Sequence, residues 1–348
     1  MKKIIFVFIL LMSINVSATS TIVMDLESER ILYQNNAYEK RLIASTTKIM
    51  TFIVAYEYGE KLLDEKVQAG KEILSMYGTS IYLNYQEEMT LRDLLYGLMM
   101  RSGNDAAVVI ANFIGGTEDN FVKLMNEKAK EIGMHNTIFR NSHGLDEETK
   151  NYSTAYDMAL LSSYAYKNDF YREVSSTKYY DTKTDNKAYS WINRNNLLFL
   201  YKNSTGGKTG YTPSAGKTLV STASNNNLNL TIVTLDDSNH YEHHKILYEE
   251  YFNKYENYII IDKNIFNNNI EYKNQNLYLL ENITYPLTEN EVKNISYNIY
   301  LDKEGNNENY IEVLLNNKIV LKKKIFIKEQ KEIKKKSFWQ RIKDFFLK

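Results

Sequence analysis

The 348-residue chain contains no cysteine. Disulfides, a thiolate nucleophile and a Cys-ligated metal site are therefore all excluded. Proline occurs only twice, and beside heavy use of Asn and Tyr this reads as genome bias rather than as structure. Net charge is absent as well, because 43 Lys and Arg balance 43 Asp and Glu. The whole-protein field thus argues neither for nor against nucleic acid, and no nucleic-acid partner is expected. Long apolar runs are missing too: nothing approaches the ~20 residues of a membrane-spanning helix. There is no internal repeat. Hydrophobic residues make up 43% of the chain, enough to bury a full core.

What is present begins with a targeting pattern. Lys2 and Lys3 precede the apolar run Ile4 to Met12, and Val16-Ser17-Ala18 supplies small residues for cleavage. Residues 1–18 read as a secretory signal peptide, which places the mature protein outside the cytoplasm. A hairpin follows, with Thr21 to Asp25 and Arg30 to Tyr33 around a polar turn. From Ser45 to about Lys167 the pattern is helical. Ile49 to Tyr58 is apolar nearly all round, as in a buried helix. Thr90 and Asp93 form a capping pair for a helix over Leu91 to Met99, and Gly116 and Gly133 sit where helices stop. Lys217 to Ala223 and Leu228 to Leu235, joined by three asparagines, form a second hairpin before a helix near Tyr241 to Tyr255. Strands, then helices, then strands predict an α+β domain over residues 19–257, its terminal segments sharing one antiparallel sheet.

Residues 258–330 change character. Short alternating runs such as Leu277 to Leu280, Ile295 to Leu301, Ile311 to Leu315 and Ile319 to Ile327, parted by polar turns, predict a small all-β domain. Residues 331–348 are different again. Ser337 can cap a helix in which Phe338, Ile342, Phe345 and Phe346 make one apolar stripe. Lysines and arginines dominate its other side, so it reads as a basic amphipathic helix lying on an anionic membrane surface.

Three short motifs carry chemistry. Ser45-Thr46-Thr47-Lys48 sits at the start of the buried helix, where residues three apart share a face. A serine hydroxyl needs a base to become a nucleophile, and a buried lysine near other positive charge can be one. Ser102-Gly103-Asn104 lies between two helices, a corner whose hydroxyl can relay a proton and whose amide can hold a carbonyl. Lys208-Thr209-Gly210, followed by Tyr211 and Thr212, belongs to a strand. An edge strand there can pair with an extended peptide and present N–H groups to an oxyanion. The glycine spacing is wrong for a phosphate loop.

Taken together, the order SxxK, SxN, KTG resembles the penicillin-recognising serine enzymes. Arg101 to Ala107, Asn141 to Leu145, Tyr152 to Ala159 and Asn193-Arg194-Asn195 narrow the resemblance. The chain is similar to the low-molecular-mass penicillin-binding proteins that are serine-type D-Ala-D-Ala carboxypeptidases, over roughly Ser20 to Phe252. The resemblance implies a β-lactamase/DD-peptidase-like antiparallel sheet covered by helices. It implies Ser45 as acylated nucleophile, Lys48 as its base and Ser102 as proton relay. Asn104, Lys208, Thr209, Gly210, Tyr211 and Thr212 would bind substrate, with the N–H groups of Ser45 and Tyr211 as the oxyanion hole. Peptidoglycan pentapeptide stems would be the substrate, β-lactams acylating inhibitors, and no cofactor or metal is implied. Many members also end in a membrane anchor, which agrees with the reading of residues 331–348 and with a peripheral site on the outer face of the cytoplasmic membrane.

Two positions depart from the pattern. Gly207 stands where an apolar residue is usual, an expected loosening of the strand. His240 stands where an arginine usually helps hold the substrate carboxylate, which leaves exo- against endopeptidase preference open. His240, His243 and His244 lack a carboxylate at a zinc spacing and read as a solvated helix start. A β-lactamase would need a deacylating glutamate, and no convincing Glu-x-x-x-Asn run lies between Ser102 and Lys208. Two rival functions stay compatible with the residues: a DD-endopeptidase of the same fold, and a catalytically weak envelope protein that binds peptidoglycan.

Overall fold

The computed structural model describes residues 19–269, 271–272, 275–301 and 309–327. The expected leader, 1–18, and the expected C-terminal helix, 331–348, lie outside the described residues. The chain divides into two units, Met1–Lys254 and Tyr255–Lys348.

The first unit is built on a five-stranded antiparallel sheet. Its strands are β1 (Ser20–Asp25), β2 (Ile31–Asn35), β3 (Ser204–Thr212), β4 (Gly216–Asn225) and β5 (Leu228–Leu235), in spatial order β2-β1-β5-β4-β3. The N-terminal hairpin pairs with the C-terminal one through β1 and β5, Ser20 opposite Leu235. Asn226 and Asn227 take positive φ in the β4–β5 turn, as a tight hairpin of right-twisted strands requires. β3 is left at the edge.

Helices cover both faces of the sheet. On β5, Thr231 bonds to Ser162 of helix α5 (Ala155–Tyr166), whereas Thr234 bonds to His244 of helix α7 (His240–Lys254). Residues 231 and 234 point to opposite faces of a strand, so α5 and α7 lie on opposite sides. β5 is accordingly buried along nearly its whole length. On the α5 side the core continues through α1 (Lys48–Gly59), α2 (Leu91–Tyr96), α3 (Asn104–Gly115), α4 (Glu118–Ile132) and α6 (Asp169–Ser176).

Local chemistry sets the helix ends. Thr90 accepts the N–H of Asp93, Thr117 that of Asn120 and Thr154 that of Asp157, each satisfying a free donor of a first turn. Gly116 and Gly133 close α3 and α4 with positive φ. Two expectations need correction. α1 is buried without a break from Lys48 to Ala55 and again at Gly59, but Glu57 and Tyr58 are exposed, so its last turn has one solvent-facing side. The helix expected to reach Met99 ends at Tyr96, and a wider π-type turn over Gly97–Arg101 carries the chain to Ser102. Such turns recur at functional sites.

The second unit is mostly strand. β6 (Glu256–Ile261) pairs with β8 (Ile283–Leu287), while β9 (Ile295–Tyr300), β10 (Tyr310–Leu315) and β11 (Lys318–Lys324) form an antiparallel meander; β7 (Gln275–Tyr278) adds a further short strand. It is not wholly β: a helix, α8 (Lys263–Asn269), starts at Asp262, whose carboxylate accepts the N–H groups of Asn264 and Ile265. Phe266 on that helix is buried with Leu277, Ile283, Ile311 and Val313.

Candidate active site

The SxxK motif straddles two kinds of turn. Ser45 lies in a 3-10 turn, Ala44–Thr47, and α1 begins only at Lys48. Ala44 holds a left-handed φ of 47°, which bends the chain immediately before the serine. Gly144 (φ 89°) packs against this bend, and a Cβ there would meet the Ala44 carbonyl oxygen at 2.0 Å. Glycine is therefore demanded by close backbone approach.

Lys48 is fully buried, and its Nζ makes three contacts: Ser45 Oγ at 3.1 Å, Asn104 Oδ1 at 2.7 Å and the His143 carbonyl at 2.5 Å. Burial depresses its pKa far below the usual lysine value, and the positive charges of Lys208 and Arg194 add to this against Asp105. A neutral amine has two hydrogens and one lone pair. With the hydrogens donated to the two carbonyl oxygens, the lone pair is left facing Ser45 Oγ. This is the arrangement a general base for that hydroxyl requires.

Ser102 sits at the C-terminal end of the π-type turn with φ 61°, and this left-handed step turns its hydroxyl inward. Lys208 on β3 donates from Nζ to Ser102 Oγ at 3.0 Å and to the Thr209 carbonyl at 2.7 Å. Lys208 is also buried, which together with Arg194 lowers its pKa to about 7. The three motifs thus form one connected set, Ser45–Lys48–Asn104 joined through the corner to Ser102–Lys208.

A cleft of about 550 Å³ opens over this set, lined by Ser45, Ser102, Asn104, Thr209, Gly210 and Tyr211 and walled by Gly78, Thr79 and Leu145. Gly210 approaches the Ser45 backbone closely, for a Cβ there would lie 2.8 Å from the Ser45 nitrogen. The edge strand and the 3-10 turn therefore bring the Ser45 and Tyr211 backbone to the same mouth. Two expected binding residues lie elsewhere. Lys208 is behind Ser102 rather than on the cleft wall, and Thr212 turns its hydroxyl to Asp146 at 2.6 Å while accepting the Ala215 N–H.

Asn104 has a different setting from the expected one. Its carbonyl oxygen is taken by Lys48 and its amide donates to the Tyr77 carbonyl at 2.7 Å, so it orients the lysine as well as lining the cleft. Gly207 does not loosen β3. The strand pairs with β4 through Gly207–Ser221, and a Cβ at 207 would strike the Val220 carbonyl at 2.2 Å, so only glycine allows that approach. The histidines are not a solvated helix start either. His240 and His244 are buried, and only His243 is half exposed, paired with Asp237 at 2.9 Å. His244 is bonded by Ser221 and Thr234, which ties α7 to the sheet.

Arg194 is a site residue that the three motifs do not mark. It lines the cleft on an exposed loop, and no carboxylate pairs with its guanidinium among the described residues. Its loop is fixed: the Arg194 N–H donates to the Met100 carbonyl, and Asn193 and Asn195 are buried on either side. Its position in an Asn-Arg-Asn run is the one signal the sequence offers. His240, by contrast, is held mainly neutral by burial, so the cation at this end of the cleft is supplied by Arg194 and Lys217. Among the described residues no group of three or more His, Asp or Glu is placed to hold a metal ion.

Comparison with known proteins agrees with this geometry. The chain is 38% identical over 226 residues to the D-alanyl-D-alanine carboxypeptidase DacF of Bacillus subtilis, covering 64% of this chain and 58% of the relative. It is 36% identical to DacC of Escherichia coli, over 64% of this chain and 57% of that one. The matched region thus spans little more than half the length of these curated relatives. Among solved structures, penicillin binding protein 5 from Haemophilus influenzae superposes with a TM-score of 0.74 at 25% identity, covering 89% of this chain and 96% of the other. The carboxypeptidase DacD from Francisella tularensis gives 0.70 at 25% identity over 95% and 97%. The family profile for D-alanyl-D-alanine carboxypeptidases matches residues 11–239, which takes in the serine–lysine pair, the helix corner and the glycine-flanked edge strand. By that match over more than half of its length, the chain belongs to the D-alanyl-D-alanine carboxypeptidase family.

Proposed function

We propose that the protein is a serine-type D-alanyl-D-alanine carboxypeptidase that removes the terminal D-alanine from peptidoglycan pentapeptide stems and is acylated by β-lactams. The observation that carries this reading is the buried Lys48 amine, 3.1 Å from Ser45 Oγ with its two other contacts to carbonyl oxygens.

The steps follow from the contacts. The Lys48 lone pair takes the Ser45 hydroxyl proton as Oγ attacks the carbonyl carbon between the two D-alanines. The oxyanion is received by the N–H groups of Ser45 and Tyr211, donors that cost no reorganisation as charge develops. The proton taken up by Lys48 returns through Ser102, held by Lys208, to the leaving amine; the C–N bond breaks, free D-alanine departs, and Lys48 is left neutral. Water then attacks the Ser45 ester, Lys48 accepts its proton and hands it to the departing Ser45 Oγ, and the shortened peptide is released. Thr209 and the cations Arg194 and Lys217 face the substrate's terminal carboxylate. Residues 1–18 serve in this reading as an export signal. Residues 331–348 serve as a surface anchor, so deleting Ser337 to Lys348 would release the enzyme from membranes while Ser45 still labels with penicillin.

The experiment is an assay of free D-alanine from a muropeptide pentapeptide with and without EDTA. Equal release in both is expected. Chelator-sensitive release, or opening of cross-links without free D-alanine, would contradict the proposal.

A further inference from the structure

Asp105 follows the SxN corner directly, in the first turn of α3, and is 3% exposed. A carboxylate so placed needs strong partners. It gathers four donors: the Ser80 hydroxyl, the N–H of Ile81 at 3.0 Å, the N–H of Leu83 at 3.1 Å and the N–H of Ala106 at 2.9 Å. Three of them come from the segment that contains Gly78 and Thr79, the wall of the cleft opposite β3.

The same segment is tied to the corner at further points. The Asn104 N–H donates to the Thr79 carbonyl at 2.8 Å, and the Thr79 hydroxyl to the Ser102 carbonyl at 2.6 Å. The clamp holds a conformation the chain would not adopt alone. Tyr82, between the two clamped N–H groups, has φ 63° with its ring 71% exposed, so no packing of that ring compensates the unfavourable backbone.

The charge has a second consequence. Lys48 faces Lys208 from β3 and Arg194 from the loop before it, both cationic, and the His143 ring, which burial keeps neutral. Asp105 supplies the negative charge acting against those cations at Lys48. We propose that Asp105 is a positioning residue for the acyl transfer: its carboxylate fastens residues 78–83 as a fixed wall of the cleft and sets the charge balance around Lys48. This rests on the acyl-transfer reading above.

The two roles separate by substitution. Asp105→Asn removes the charge, so kcat/KM for D-alanine release should keep its activity to lower pH, the acid limb moving down by about one unit. KM should rise about tenfold as the wall loosens. Ser80→Ala keeps the charge and removes one clamp bond, so KM should rise a few-fold, roughly, while the acid limb stays in place. If Asp105→Asn does not fold, as read by circular dichroism and melting, Asp105→Glu replaces it. Glu retains the charge but displaces the carboxylate, and it should raise KM with the limb unmoved. A folded Asp105→Asn protein with wild-type KM and acid limb overturns the proposal, as does a wild-type KM in both the Ser80→Ala and Asp105→Glu proteins. Wild-type protein that neither releases D-alanine nor labels with fluorescent penicillin would instead sink the acyl-transfer reading, and this proposal with it.

Discussion

The Nζ of Lys208 stands 3.0 Å from the Oγ of Ser102, a residue 106 positions earlier in the chain. The edge strand is thereby joined to the helix corner, and the lysine holds the hydroxyl to which the proposed mechanism assigns proton relay. Lys208 also acts at a distance, because its charge is one of the causes that depress Lys48.

Replacing Lys208 by Gln tests that coupling. In the proposed mechanism the base works as a neutral amine, so acylation should rise with pH as Lys48 loses its proton. Removing a neighbouring cation makes protonated Lys48 easier to keep, which raises its pKa. The acid limb of β-lactam acylation should therefore move to higher pH by about one unit. The maximal rate should fall by roughly 10²-fold as Ser102 loses its support. Stopped-flow acylation between pH 5 and 9 reads both effects. A limb that moves to lower pH contradicts the assignment of Lys48 as base.

Above the acid limb, where Lys48 is already neutral, Arg194 should matter chiefly to substrates that carry a terminal carboxylate. Charge-assisted hydrogen bonds contribute about 1.5–3 kcal/mol. Arg194→Leu should accordingly cut kcat/KM for a D-Ala-D-Ala peptide by about 10- to 100-fold. For the same peptide ending in a carboxamide the change should be slight. Equal losses on both substrates would show that the guanidinium serves the scaffold rather than the carboxylate.

Stability carries its own pH signature through the histidine under the sheet. His244 is fully buried, with Ser221 Oγ 2.7 Å from Nδ1 and Thr234 Oγ1 3.0 Å from Nε2. Burial, then the charges of His240 and His243, push its pKa well below the ordinary 6.5. His143 is lowered likewise, to about 3, by burial and Lys48. Below pH ~6.5 the unfolded chain binds protons that the folded one refuses, so folding stability drops as pH falls. Each such group contributes at most about 1.4 kcal/mol per pH unit, and nothing above its unfolded pKa. Urea unfolding at pH 7.5 and 5.5 should show the loss, and His244→Gln should lessen it. A protein that becomes more stable on acidification contradicts the burial argument.

Much of this architecture is visible in the residue pattern because the relevant signals are local. Thr90 with Asp93, Gly133 and the asparagine turn before Leu228 each act within a few residues, and they mark element ends where the structure has them. The first motif is legible for a similar reason: a three-residue spacing places Ser45 and Lys48 on one side of a helical turn. What the pattern hides depends on contacts across long separations. Asn104 commits its amide to Lys48 and Tyr77, and Gly207 is demanded by the Val220 carbonyl on the neighbouring strand. Arg194 stands out in sequence only by its Asn-Arg-Asn run, and the fold sets it at the cleft near two buried lysines. The helix Lys263–Asn269, ending in three asparagines, has poor intrinsic propensity, and burial of Phe266 overrides it.

The central claim is that Ser45 is the acylated nucleophile, and intact-mass analysis after incubation with benzylpenicillin tests it most directly. Wild-type protein should gain the mass of one intact penicillin, with the modified peptide mapping to Ser45, and Ser45→Ala should gain none. A full-strength adduct on the folded Ser45→Ala protein would contradict the account.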